Sequence, residues 1–476
     1  MSEQPIQLFA AQQKIYPRDI WGRFRRLKWL AMGTLLAIYY FTPWLRWDRG
    51  PHAPDQAILI DMPARRAYFF GIELWPQEVY LLAGLLVLCA VGLFFVTSLF
   101  GRVWCGYACP QTVWTDLFLK VEYFLQGDRN ARMKRDAGAW TFDRLWRKAL
   151  THLVWLIIAL CTGGAWVFYF NDAPTLADHL WHFDVPWSTW SWILGLTAST
   201  YLMAGFAREQ ICTYMCPYSR FQSAMFDKDT LIISYDTERG EPRGAHKKGE
   251  SWDGRGDCID CSLCVQVCPM GIDIRNGLQM ECIACGLCVD ACNDVMDKID
   301  RPRGLIRYDT TNNQVARCAA HKAGKPFKDW LHLLRPRTFY YIAILLTVGG
   351  LTLYGLLTRS PLELNVLHDR NPLLVKLSAG GVRNNYTIKI LNKTGHDKIF
   401  QLSLDGLPGV ELRIEGAGQP LPEQLHVLAD SVGQFRVLAT VPTPAGLPQR
   451  REVQFNLVDQ DTGLAVRTGS MFISRE

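Results

Sequence analysis

Five apolar segments stand out along the chain, at roughly 27–45, 79–100, 150–170, 187–206 and 338–357. Each is close to the length of about 20 residues that crosses a bilayer as a helix. Trp and Tyr crowd their ends, as they do at membrane–water interfaces. The pattern predicts an α-helical membrane domain of about five transmembrane helices. The first segment lies well inside the chain and has no small-residue cleavage site at its end, so it reads as a span, not a removed signal. After residue 358 the period changes. Short alternating runs, YTIKIL (386–391), VELRI (410–414) and VQFNLV (453–458), are separated by turn signals such as Leu407-Pro408-Gly409 and Asp461-Thr462-Gly463. Period-two alternation at this spacing predicts a β-sandwich.

Charge orients the spans. Lys14, Arg18, Arg23, Arg25, Arg26 and Lys28 precede the first, and nine Lys or Arg residues lie between 101 and 149. The 171–186 loop has none. The positive-inside rule then predicts a cytoplasmic N-terminus, a cytoplasmic 101–149 loop and a cytoplasmic 207–337 segment, with the region after 358 outside. Four regions follow: 1–226, tail and first four helices; 227–337, a polar linker and a cysteine-dense domain (core 250–300); 338–357, the fifth helix; and 358–476, the sandwich. Composition adds an exclusion. The 51 basic residues against 45 acidic ones give only +6, spread out, which argues against a nucleic-acid binder.

The 15 cysteines carry the chemistry. Residues 258–269 read Cys258-x2-Cys261-x2-Cys264-x3-Cys268-Pro269, and 282–292 repeat this as Cys282-x2-Cys285-x2-Cys288-x3-Cys292. That is the spacing of two-cluster bacterial ferredoxins, in which three close thiolates grip one cubane and the distant fourth ligates the other. One [4Fe–4S] cluster would take Cys258, Cys261, Cys264 and Cys292; the other would take Cys282, Cys285, Cys288 and Cys268. Zinc sites use fewer ligands, and disulfides do not suit a cytoplasmic segment. Asn293 stands where the first repeat has Pro269.

A second repeat, C-x3-C-P, occurs as Cys105–Pro110 and Cys212–Pro217, each at the cytoplasmic end of a span. Proline favours the first turn of a helix, placing Cys109 and Cys216 at helix N-termini. Two such pairs at one depth could converge into a four-thiolate site. Soft thiolates favour Cu(I), with zinc or another cluster as competitors, and Met203 or Met215 could add a thioether. Cys89 and Cys161, alone in mid-span, read as small hydrophobes. Cys318 is read the same way, although Cys318-x2-His321 could be a ligand pair; His179-x2-His182 on the outer loop reads as an interfacial loop feature, with copper binding the weaker alternative.

These features together resemble the CcoG family of cytochrome c oxidase accessory proteins, also called FixG or RdxA, over essentially the whole chain. NapH-type polyferredoxins resemble residues 80–295 but lack the sandwich. The resemblance implies a cupric reductase of the bacterial inner membrane that makes Cu(I) on the cytoplasmic side for cbb3-type oxidase assembly, and an immunoglobulin-like periplasmic domain. It implies eight cluster cysteines as above and Cys105, Cys109, Cys212 and Cys216 as copper ligands. Its partners would be a cytosolic electron donor, a copper chaperone or transporter, the oxidase assembly machinery and the lipid bilayer, with homo-oligomerisation open. The alternatives are a quinol-linked electron conduit, or an assembly scaffold that docks through the sandwich.

Overall fold

The computed structural model describes residues 14–51, 53–247, 249–378, 380–415, 424–442 and 447–475. The chain divides into two units: 1–45 with 56–353, and 46–55 with 354–476.

Every expected span is helical: Arg23–Phe41, Val79–Phe100, Phe142–Val167 and Trp187–Leu202 in the first unit, and Pro336–Leu357, whose last turn falls in the second. Three helices among the described residues, Pro76–Phe100, Phe142–Val167 and Pro336–Leu357, are long and apolar enough to cross a membrane. The other two fall short for visible reasons. Arg23–Phe41 opens with Arg23, Arg25, Arg26 and Lys28, and Trp187–Leu202 is 16 residues long before giving way to the π-turn Met203–Ala207. Pro336–Leu357 buries only Thr338, leaving its apolar surface uncovered, as a helix facing lipid would. Thr141 caps Phe142–Val167 by accepting from the Arg144 amide.

The predicted linker is partly structured. Ile232–Tyr235 pairs antiparallel with Ile306–Asp309, closing the cysteine-dense segment between two strands. Nor is that segment a separate body: it belongs to the same compact unit as the helices and the N-terminal tail. The Arg18 amide donates to the Gln266 carbonyl at 2.8 Å. Asp290 then caps the first long helix from outside, accepting from the Phe24 and Arg25 amides at 3.2 and 2.8 Å.

The second unit contains the two sheets expected of the alternating runs. One orders Glu411–Ile414, Ser431–Val441, Val382–Asn392 and Leu362–His368, with Val375–Lys376 on Val382–Asn392; the other orders Gln424–Val427, Lys398–Asp405, Arg450–Asp459 and Ala465–Ile473. All pairings are antiparallel. Tyr386, Ile388 and Ile390 from one sheet and Phe455, Leu457 and Phe472 from the other are fully buried in a common core. The alternation in the sequence is the alternation of faces.

Candidate iron–sulfur and membrane-edge thiol sites

The doubled cysteine motif folds into two short helices, Leu263–Gln266 and Leu287–Lys298. Their unequal lengths follow from one substitution. Pro269 forbids continuation of the first, whereas Asn293 lets the second run on and accepts from the Gly304 amide at 2.9 Å. Ser262 and Gly286 precede the two helices in the left-handed conformation, turning each loop tightly enough to gather its cysteines.

The thiols form two sets. Cys258, Cys261, Cys264 and Cys292 line one cavity, closed by Tyr235, Ile259, Leu305 and Ile306. Burial pushes the Cys264 thiol up to about 11 and Cys292 to about 12, and the neighbouring thiols of the set add to it. Around Cys288, burial and then Cys285, Cys282 and Cys268 push the thiol well above its usual value. The same causes bring Cys268 to about 12 and Cys282 to about 11. Cys268 packs with Cys285 and Cys288 on one core, and Cys292 lines the cavity of the first triplet. Among the described residues no three Cys, His, Asp or Glu side chains meet at the distance of one bound ion. Four sulfurs spread around a cavity suit a polynuclear cluster, where each thiolate holds a different iron. The donor set and its shape fit two [4Fe–4S] clusters.

The membrane-edge motifs come together beside the second set. Cys109 and Cys216 precede the helices Pro110–Gln126 and Pro217–Met225, with proline in the first turn of each. Cys105 and Cys212 pack on the core formed by Val267, Ile283, Cys285 and Leu287. Burial raises Cys212 to about 12, with Cys109, Cys105 and Cys216 adding to it. Cys105 is raised to about 11 by burial and by Cys109 and Cys216, partly offset by the Gln222 amide, which donates to its Sγ at 3.2 Å. The four half-buried thiols are thus neighbours, with Cys105 and Cys212 on a common core, although here too no three of them stand at the distance of one bound ion. Met215 is 63% exposed, and Met203 takes a hydroxyl contact from Ser199.

The remaining candidates lie elsewhere. Cys89 and Cys161 are exposed on their apolar helices. Cys318 faces Glu238 at 2.9 Å, lining a surface cavity with His321. His179 and His182 approach Asp184 and Asp178 at 3.4 and 3.6 Å.

Comparison with known proteins follows the same division. Residues 82–131 match a 4Fe-4S binding domain, 207–311 a 4Fe-4S dicluster domain, and 352–475 the Ig-like fold at the C-terminal of FixG. The nitrogen fixation protein FixG of Rhizobium meliloti is 48% identical over 95% of this chain and 91% of its own. Protein RdxA of Cereibacter sphaeroides is 50% identical over 91% of each chain, and RdxB of that organism 45% over 99% and 98%. The chain belongs to the FixG family. It is a membrane protein carrying iron–sulfur electron-transfer domains and an Ig-like C-terminal domain.

Within this FixG-family chain, several residues that hold the site escaped motif reading. Arg102 donates to the Met280 carbonyl and, at 2.5 Å, to the Ser219 carbonyl. Arg208 reaches Glu122 at 2.5 Å, and Glu122 also holds Arg132 at 2.6 Å. A signal was present: each motif is preceded by Phe, a small residue and Arg, at 100–102 and 206–208. Asp290 and Tyr107 had no such mark.

Proposed function

We propose that this protein spans the membrane with five helices and reduces Cu(II) to Cu(I) on the cytoplasmic side, in support of cbb3-type oxidase assembly. The observation that carries the reading is the neighbourhood of Cys105, Cys109, Cys212 and Cys216, all half-buried, with Cys105 and Cys212 packed against the core of the second cysteine set. When bound, two [4Fe–4S] clusters supply one-electron transfer. The eight ferredoxin cysteines hold them, and the four membrane-edge thiols hold the substrate. Cu(II) takes up one electron and becomes Cu(I), with no covalent bond made or broken. A soluble one-electron donor supplies that electron. Thiolates retain the softer Cu(I) until a chaperone or transporter takes it. The sandwich lies in the periplasm, and the inner membrane of a bacterium is the setting.

The test is Cu(II) reduction and copper stoichiometry of purified full-length protein, wild type against Cys105→Ser, Cys109→Ser, Cys212→Ser and Cys216→Ser. Lower copper binding and slower Cu(I) formation are expected, and wild-type values in all four would overturn the site. A second reading is favoured by the 4Fe-4S binding domain match over 82–131, which includes Cys105 and Cys109. There the four thiols hold a further cluster. Iron in excess of two clusters, lost in the four variants, would select it.

A further inference from the structure

We infer that Gly106 and Tyr107, two of the three inner residues of the first C-x3-C-P motif, are positioning residues for the second cluster-binding loop, so that the membrane-edge motif and this cluster site share one wall. Gly106 lies in the helical turn Val103–Tyr107. Glycine costs a helix up to about 1 kcal/mol relative to alanine, and its backbone here is not left-handed. Its reason is approach. A Cβ on Gly106 would stand 2.7 Å from the Ile283 carbonyl oxygen and 3.1 Å from both the Ala284 oxygen and Cys285 Cα. Without a side chain, the backbone between Cys105 and Tyr107 lies directly on the loop that presents Cys282 and Cys285.

Tyr107 fastens the contact. Its hydroxyl donates to the Cys285 carbonyl at 3.0 Å, while Tyr308 donates to the adjacent Ala284 carbonyl at 2.6 Å. Two phenols from different elements thus bind consecutive peptide carbonyls. Arg102 holds the preceding Met280 carbonyl, and Phe24 packs against Gly286. The other cysteine set is walled by different residues, Tyr235, Ile259, Leu305 and Ile306, and its Cys261 is exposed to solvent. Potentials of iron–sulfur sites follow hydrogen bonding and solvent exposure around the ligands. The 102–107 segment touches the loop of the second set, whereas none of its residues lines the cavity of the first, so it acts chiefly on the second cluster.

This rests on the iron–sulfur reading alone and is independent of copper. The test is an anaerobic redox titration of detergent-solubilised full-length protein followed by EPR, with iron analysis. Cys261→Ser, which alters a ligand of the first set, marks that cluster's signal. Tyr107→Phe is expected to keep wild-type iron and to shift only the midpoint potential of the second cluster. Gly106→Val is expected to lose iron from that cluster, Gly106→Ala to lose less. Unchanged potentials in Tyr107→Phe, or equal shifts of both, would overturn the inference, as would wild-type iron and potentials in Gly106→Val. Should Gly106→Val not fold, the conservative Tyr107→Phe decides. A wild-type protein without iron would instead sink the iron–sulfur reading itself.

Discussion

Glu122→Gln isolates the buried charges that support the second thiol motif. Glu122 is 5% exposed on helix Pro110–Gln126 and accepts from Arg132 at 2.6 Å and Arg208 at 2.5 Å. The other nearby carboxylate, Asp116, is already engaged by Arg25 and Lys28. Glutamine keeps the shape but leaves two guanidinium groups, 2% and 9% exposed, without a counter-charge. Each charge-assisted hydrogen bond contributes about 1.5–3 kcal/mol, and removing one partner of a buried ion pair costs about 3–5 kcal/mol. The expected loss is about 3–5 kcal/mol, read as thermal unfolding of the solubilised protein by tryptophan fluorescence. A local readout should accompany it. Arg208 is held at φ 35°, a strained conformation for a residue with a side chain, four positions before Cys212. Released from Glu122, that turn relaxes, and Cys212 should become open to alkylation. The double variant Glu122→Gln/Arg208→Gln removes a stranded cation and should recover part of the loss. A single variant within about 1 kcal/mol of wild type, a change typical of an ordinary substitution, would refute the reasoning. So would a double variant no more stable than the single.

Asp290→Asn weakens the acceptor for the Phe24 and Arg25 amides, and removing such a cap costs about 0.5–2 kcal/mol; faster amide exchange at the start of helix Arg23–Phe41 is expected. Phe455→Ala empties a fully buried position between the two sheets and should destabilise the second unit by about 3–5 kcal/mol, read by thermal unfolding with the iron content unchanged. Asp136 sets a pH dependence. Burial opposes its ionisation, but hydrogen bonds from Lys14, Lys148 and Tyr16 outweigh this and hold its carboxyl below the usual range. A depressed carboxylate contributes stability above its unfolded pKa, about 4, and that contribution is lost as pH falls through the folded value. Residues 14–20 should therefore exchange faster below about pH 4, and Asp136→Asn should reproduce this at neutral pH.

Much of this protein was readable because period and spacing are local properties. The Tyr386, Ile388, Ile390 alternation announced a half-buried strand, and the cysteine spacing announced which four thiols share a cavity before any contact was seen. The sorting of Cys268 and Cys292 into opposite sets was legible for that reason. What stayed hidden depends on long-range placement. Asp290 lies 265 residues from the Arg25 amide it caps, and Tyr107 lies 178 from Cys285. Ile232–Tyr235 was read as linker because a four-residue strand inside a polar stretch is recognisable only once Ile306–Asp309 pairs with it. Gly106 looked like any glycine in a turn; only the 2.7 Å approach to Ile283 explains it.

The two units have different kinds of core, and iron removal should separate them. The sandwich is closed by Tyr386, Phe400, Phe455 and Phe472, hydrocarbon packed on hydrocarbon. The ferredoxin core includes the proposed cluster ligands: Cys258 and Cys264 are buried beside Ile233, Met296 and Ile306, and Cys288 and Cys292 pack against them. Burial keeps several of these thiols protonated in the metal-free chain, with Cys264 pushed to about 11 and Cys292 to about 12. Cluster binding must draw off those protons, so its free energy offsets the burial of sulfur and becomes part of folding. Stripping iron with a chelator under anaerobic conditions should then raise amide exchange across Cys258–Cys292 by orders of magnitude. Exchange in Val382–Asn392 and Arg450–Asp459 should stay at its original rate, because none of the proposed ligands lies in that core. Equal protection of Cys258–Cys292 with and without iron would mean that the apolar residues alone hold the domain, and the coupling of ligand to fold would be wrong.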